Sequence, residues 1–434
     1  MFKNVIIGIG IAAAIFTVII FSGNTSIGKS GTNAATGEVT IWGTIPEGKI
    51  YSFLQTYNPA VKTYRVNYKE IKEEEFVPSL LDALASGGGP DLILAPYQTI
   101  ISQVSKIQPF PITAMPEKSY KDTFVDGTSV FWTPYGAMAL PVSIEPLMLF
   151  YNRSTLSKNG IANPPVYWGD VEQLIPKLTT FDKKGNIDEV AIPLGTFDNV
   201  PYAKDIVMNM VYQLTQVPVI VNWTDQGPSY NVSIDDVIIF NNTEIKPLTT
   251  AVHFWTEFAN KDKTTYTWNS FMQNPLSLFL GEKLAMYIGY SSEYNQIKQE
   301  NQKIDFGMAP IPQAKDYKTF STGMRLYGIA TLKTSKNINT AVEAQSSFAG
   351  TYSKDVSNLI GGVSPIKANL MNNNLDEGLV KSTLNARGFY DLYQSKSTNL
   401  FSAMINDIIT GRALVVDSVV NFVNKFARLY NVSK

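Results

Sequence analysis

The chain has 434 residues, 44% of them hydrophobic and 17% charged, with a formal net charge of −1. That length exceeds what one hydrophobic core ordinarily supports and points to two or more globular domains, and the near-neutral charge argues against a nucleic-acid partner. Zero Cys excludes disulfides, thiolate metal sites, cysteine nucleophiles and a lipid-modified N-terminal cysteine, and a single His, His253, excludes a His-rich zinc site.

In chain order, Lys3 precedes an uncharged apolar run from Val5 to Phe21. It is at the short limit for a spanning helix and the long limit for a cleavable signal. The reading adopted is a membrane anchor over 1–22, with a cleaved signal as the alternative, followed by a flexible linker over 23–37. Within that linker Gly23–Ser30 matches the phosphate-loop expression GxxxxGK[ST]. No strand feeds it and no helix can follow it through Gly31–Gly37, so it reads as polar linker.

Val39–Trp42 is a short apolar strand closed by Gly43, and Tyr51–Tyr57 reads as a helix stopped by Asn58-Pro59. Tyr64, Val66 and Tyr68 alternate with polar residues as a second strand does. A helix follows with Phe76, Leu80 and Leu84 on one face, Glu73–Glu75 at its positive end and Gly87 beyond its end. Pro90–Ala95 is a buried third strand, which completes a doubly wound α/β pattern. Leu140–Arg153 is an extended β-branched and aromatic run interrupted by one carboxylate, Glu145. His253 lies in Thr250–Phe258, which reads as a buried amphipathic helix, so it is taken as structural rather than catalytic. Trp168, Trp223, Trp255 and Trp268 read as packing residues. The last helix, with Val416, Val419, Val420, Val423 and Phe426 at three- and four-residue spacing, reads as core against a lobe.

Ordered motifs carry a resemblance. They are Ala85-Ser-Gly-Gly-Gly-Pro-Asp91, the Leu140–Arg153 run, Pro164–Asp170, Phe279–Gly289, Asp305–Pro312 and Gly362-Val-Ser-Pro365. Together they resemble the maltose-binding-protein-like extracellular solute-binding proteins, family 1. The chain departs from that pattern at Ser321–Leu326 and in lacking the lipid-attachment cysteine. The resemblance implies two doubly wound α/β lobes joined by a multi-segment hinge, preceded here by the N-terminal membrane segment. The expected lobes are 38–143 plus 306–338 and 147–303 plus 343–434. No cofactor and no catalysis are implied.

The same resemblance implies an inter-lobe ligand site, and strand carboxyl ends supply its candidates. Trp42 either stacks on a sugar ring or packs in the core, and Tyr97, just past the third strand, carries the same two readings. Glu145 is read as accepting ligand hydroxyls, a salt bridge being the alternative. Asp198 and Asn199 follow the apolar run Ala191–Leu194. Tyr290, Ser291 and Ser292 follow the strand Ala285–Gly289. Met324 and Arg325 stand where the family is usually different, and the guanidinium serves either an anionic ligand or a salt bridge. The expected protein is an extracytoplasmic, monomeric carrier of a small-molecule ligand, a sugar or oligosaccharide, for ABC transporter permease subunits, with membrane contact through its N-terminal segment. A surface receptor or adhesin without transport is the first alternative. A glycan hydrolase using Glu145 and Glu293 is the second.

Overall fold

A run of β-branched residues at every second position makes Gly37–Gly43 a strand with Val39 and Ile41 fully buried. In this computed structural model, residues 37–431 are described except 216, 225, 226, 318, 319 and 372–374. The expected anchor, the linker up to residue 36 and the phosphate-loop-like segment lie outside the described residues. Gly37, expected as linker, already pairs in the sheet opposite Tyr64. Among the described residues no helix is long and apolar enough to cross a membrane.

The chain divides into two compact units, and passes from one to the other at 145/146, 324/325 and 375/376. In the first unit, Gly37–Gly43 pairs in parallel with Tyr64–Glu70 on one side and with Leu92–Leu94 on the other. Residues 327–331 of the strand Thr322–Leu332 run antiparallel to Leu92–Pro96. Helices Glu47–Ala60, Glu73–Ala85 and Ile338–Ala349 contribute Ile50, Phe53, Phe76 and Phe348 to the interior. Each fully buried side chain of this size stabilises by roughly 1.5–3 kcal/mol.

The helix expected to stop at Asn58 runs on to Ala60. Asn58 instead acts on the sheet: its amide donates to Val66 O at 3.1 Å and its Oδ1 accepts from Val66 N at 2.8 Å. The backbone polar groups of an edge strand are thereby satisfied without another strand. Pro59 falls in the last turn, where its missing N–H disrupts little of the helix that precedes it. Gly87, as expected, takes a left-handed conformation with φ of 73° just past the second helix.

In the second unit, residues 147–152 of the strand Leu140–Asn152 are flanked on both sides. Met286–Tyr290 pairs with them on one edge and Phe306–Pro310 on the other, both antiparallel. Burial from both sides explains why this strand reads as continuous apolar sequence rather than alternation. The doubly wound pattern expected of this lobe is thus joined by antiparallel neighbours on both sides of its central strand.

Lobe boundaries need two further corrections. Residues 306–324, expected with the first lobe, belong to the second unit, where Phe306–Pro310 has its ladder partner in 148–152. Residues 343–375, expected with the second lobe, belong to the first unit: Phe348 packs edge-on against Phe53 and Tyr57, and Val363 bridges Ile144.

Two side-chain expectations also shift. His253 sits on the helix Pro247–Glu257, but its side chain is 63% exposed beside Glu257; Val252 and Trp255 hold the buried face. In the terminal helix Val415–Asn431 the buried stripe is Val419, Phe422, Phe426 and Tyr430, while Val416 and Val420 are 54% and 46% exposed. The spacing was legible, but the aromatic residues set the register. Trp168, Trp255 and Trp268 are buried packing residues, and Trp223 lies half-buried in a hairpin strand.

Candidate functional site

The first unit brings several of the expected residues to one end of its strands. Trp42 is the penultimate residue of the first strand and is 8% exposed. The Lys69 ammonium lies 4.6 Å from the centroid of its ring, so one indole face is already occupied by a cation. Gly43 beside it admits no side chain: a Cβ there would stand 2.6 Å from the Tyr68 hydroxyl and 2.8 Å from Leu94 O. Tyr68 in turn donates to Ile45 O at 2.7 Å, fixing the turn that follows Trp42.

Glu145 is 3% exposed, in the strand Leu140–Asn152 at the boundary of the unit. Gly362 lies over it. A side chain at 362 would collide with the Ser143 hydroxyl, with Ile144 O at 2.7 Å and with the Glu145 stem at 2.8 Å. Glycine therefore lets the 361–365 loop seat against the strand that carries the carboxylate, tied by the Ile144–Val363 backbone pair at 2.9 and 3.0 Å.

Strand alternation separates Met324 from Arg325. Met324 and Leu326 are buried on one side, whereas Arg325 and Tyr327 project together from the other, half-buried. Tyr327 was not anticipated, although its place two residues beyond Arg325 was a signal in the sequence. Its phenol is pushed up to about 12, chiefly by burial, then by the carboxylates of Glu145 and Glu73, while Arg325 opposes the rise. The first unit thus gathers a phenol held neutral, a guanidinium, a carboxylate and an indole at one end. Such a set offers donors, acceptors and an aromatic face to a polyhydroxylated molecule.

Tyr97 belongs elsewhere. It opens the helix Tyr97–Ser102 and shares its buried side with Ile100 and Ile101, leaving it 1% exposed. Being two residues past a strand suggested a loop position, but the chain turns straight into a helix whose inward face it occupies.

In the second unit the turn after Met286–Tyr290 is held by Glu293, whose oxygens accept from Tyr287 Oη at 2.7 Å and from Tyr290 N at 2.9 Å. Both oxygens serve this turn. Tyr290 is 2% exposed and packs edge-on against Tyr202, centroids 4.9 Å apart. Tyr202 adopts φ 59°, ψ 21° immediately before the helix Ala203–Leu214. An aromatic residue in that region carries a cost of about 1–3 kcal/mol and belongs to a strained, functionally suggestive class; nothing in the sequence around it signals this. Ser291 Oγ is buried with no hydrogen-bond partner among the described residues. Ser292 precedes the helix Glu293–Glu300 without a side-chain cap bond.

Asp198 and Asn199 are cross-links. The Asp198 oxygens accept from Ser402 Oγ at 2.8 Å and Asn406 Nδ2 at 2.9 Å. Asn199 Nδ2 donates to Asn269 O at 2.9 Å and Met272 O at 3.2 Å, while its Oδ1 accepts from Thr196 and from Trp268 Nε1 at 3.2 Å. Both residues thus tie distant segments of the same unit together, with Asp198 exposed. Among the described residues no group of three or more His, Asp or Glu side chains could hold a metal ion.

A search of curated proteins for sequence relatives found no match. Among solved structures, the chain is similar to an ABC substrate-binding protein from Listeria monocytogenes in complex with cycloalternan. That pair shares 13% identity over 92% of this chain and 100% of the other, with a TM-score of 0.67. It is also similar to the sugar-binding protein MalE from Xanthomonas citri, at 14% identity over 91% and 97% with a TM-score of 0.70. A cyclic alpha-maltosyl-1,6-maltose binding protein from Arthrobacter globiformis gives 14%, 91%, 99% and 0.69. At such identities these likenesses show the fold. The model of the family described as bacterial extracellular solute-binding protein matches residues 52–346, more than half of the chain. The chain belongs to the bacterial extracellular solute-binding proteins, a family of binding proteins that work outside the cytoplasm.

Proposed function

We propose that the protein captures a sugar or oligosaccharide outside the cytoplasm and delivers it to the permease of an ABC importer. The observation that carries the ligand class is the group of Trp42, Glu145, Arg325 and Tyr327 at one end of the first unit: an aromatic face beside groups that both donate and accept hydrogen bonds. Ligands of the similar structures, cycloalternan and cyclic maltosyl-maltose among them, support the same class. In this reading the ligand's differential affinity favours a closed conformation that the permease recognises. The apolar run Val5–Phe21 tethers the protein to the membrane, and it acts as a monomer. Hydrolysis by Glu145 with Glu293 is disfavoured, since both oxygens of Glu293 accept hydrogen bonds from its own turn.

A thermal-shift screen of residues 38–434 against neutral glycans, uronic acids and peptides tests this. A ligand at a hundred times its dissociation constant adds about 2.7 kcal/mol of stability. Stabilisation by a neutral oligosaccharide, weakened by Trp42→Ala and Glu145→Gln, is the expected result. Stabilisation only by peptides would overturn the ligand class.

A further inference from the structure

Six asparagines in the sequence begin an Asn-x-Ser/Thr triplet with a non-proline middle residue: Asn24, Asn152, Asn222, Asn231, Asn241 and Asn431. In a protein that works outside the cytoplasm, this triplet is an acceptor for an N-linked glycan where the amide is accessible. Triplets of this kind also arise by chance, so their placement decides. Asn152 is fully buried and its Oδ1 caps the following helix through Thr155 N at 2.8 Å. Asn24 lies outside the described residues, as does Ser433 of the Asn431 triplet.

The remaining three lie on two small antiparallel hairpins of the second unit. The first pairs Val219–Thr224 with Gly227–Val232, and the second pairs Ile238–Phe240 with Thr243–Ile245. Asn222, Asn231 and Asn241 are all exposed. Ile220 stands opposite Asn231, and Asn222 opposite Ser229. Residues 220, 222, 229 and 231 therefore project from one face of the first hairpin. Asn241 heads the two-residue turn of the second hairpin, where it and Asn242 have φ of 48° and 61°.

The surroundings supply an independent reason for a hydrophilic cover. Val217 and Ile220 in or beside the first hairpin are 51% and 39% exposed, and Val237 and Ile239 in or beside the second are 51% and 68% exposed. The segment Val217–Thr224 carries no charged residue. Two-stranded ribbons with exposed β-branched residues and few charges are the edges that natural proteins ordinarily protect.

We infer that Asn222, Asn231 and Asn241 are N-glycan acceptors, modified on the outer side of the membrane by transfer from a glycan-bearing lipid phosphate. The amide Nδ2 forms a bond to C1 of the reducing-end sugar, and the C1–O bond to the lipid phosphate breaks. The phosphate leaves with that electron pair, and Nδ2 gives up one proton to the transferase. This inference rests on the family's location and is independent of the ligand.

The test is mass spectrometry of the full chain purified from the cells that encode it. Trypsin leaves residues 205–261 in one peptide, because Pro247 protects the bond after Lys246, so a chymotryptic digest is needed to separate the sites. Expected are peptides bearing one glycan increment at each of Asn222, Asn231 and Asn241, and an unmodified Asn152. Each of N222Q, N231Q and N241Q removes one increment. Thr224→Ala, Ser233→Ala and Thr243→Ala do the same with the asparagine still present, so a variant that folds poorly does not leave the assignment open. Unmodified asparagine at all three sites in the native protein would overturn it, and so would increments that persist in the substituted chains.

Discussion

The Asp198-Asn199 turn of the second unit and the Glu145–Arg325–Tyr327 end of the first both set polar groups against apolar stretches. They differ in what holds them. Asp198 is bonded to residues 204 and 208 positions away, and Asn199 to residues 70 and 73 positions away, so that turn joins segments of its own unit. In the first unit, burial keeps a phenol neutral beside two carboxylates and a guanidinium. What a polar residue beside an apolar stretch does is thus set by its distant partners, which local sequence does not show.

Asn199→Ala breaks that comparison most directly. Four hydrogen bonds vanish and buried partners, among them Trp268 Nε1, lose their acceptor or donor, at a cost of about 3 kcal/mol. Chemical denaturation should show that loss, with ligand affinity of the folded protein changed less than twofold. Unaltered stability with tenfold weaker binding would move Asn199 into the ligand site. Glu145→Gln is expected to do the reverse: binding falls about tenfold, or roughly 1.4 kcal/mol by calorimetry, with little change in the melting temperature.

Alkaline titration sharpens the contrast further. Tyr327 is raised to about 12 from 10.0, so its contribution is complete below pH 10 and is lost as pH rises toward 12. Tyr327→Phe should flatten that part of the stability profile by on the order of 1 kcal/mol; an unchanged profile would mean the phenol titrates normally. Smallest of all, His253→Ala should shift stability by less than about 0.5 kcal/mol, because the side chain lies on the exposed face of its helix. A larger loss by urea unfolding would restore the structural role expected of it.

Local pattern sufficed for much of the first unit. Val39 and Ile41, Tyr64 and Val66, and Leu92–Ala95 of the expected Pro90–Ala95 strand all became sheet, because alternation and apolar runs reflect burial on the pleat. It failed where long-range partners decide. Asn58 signals a helix stop in isolation, yet it serves the backbone of Val66. Tyr97 is a loop residue by position and a core residue by the helix it begins. Within the candidate site, Trp42 was legible as a strand-end residue, Glu145 as a lone carboxylate in an apolar run and Arg325 as a departure from the family's pattern, whereas Gly362 and Tyr202 were not. The first matters through a collision with Ser143 and Ile144, more than two hundred positions earlier. The second matters through a backbone angle that no neighbouring residue announces.

The three passages of the chain between its units bear on how the protein is born. Neither unit is a continuous stretch, so during synthesis the first cannot be completed until Leu375 has emerged. Its parallel strands wait, unpaired with Thr322–Leu332, while residues 146–324 of the second unit are being made. Long-range pairing of this kind is slow and exposes apolar edges. A polypeptide that must reach the far side of a membrane before it folds gains from that delay, since export and ribosome both present it as an unfinished thread.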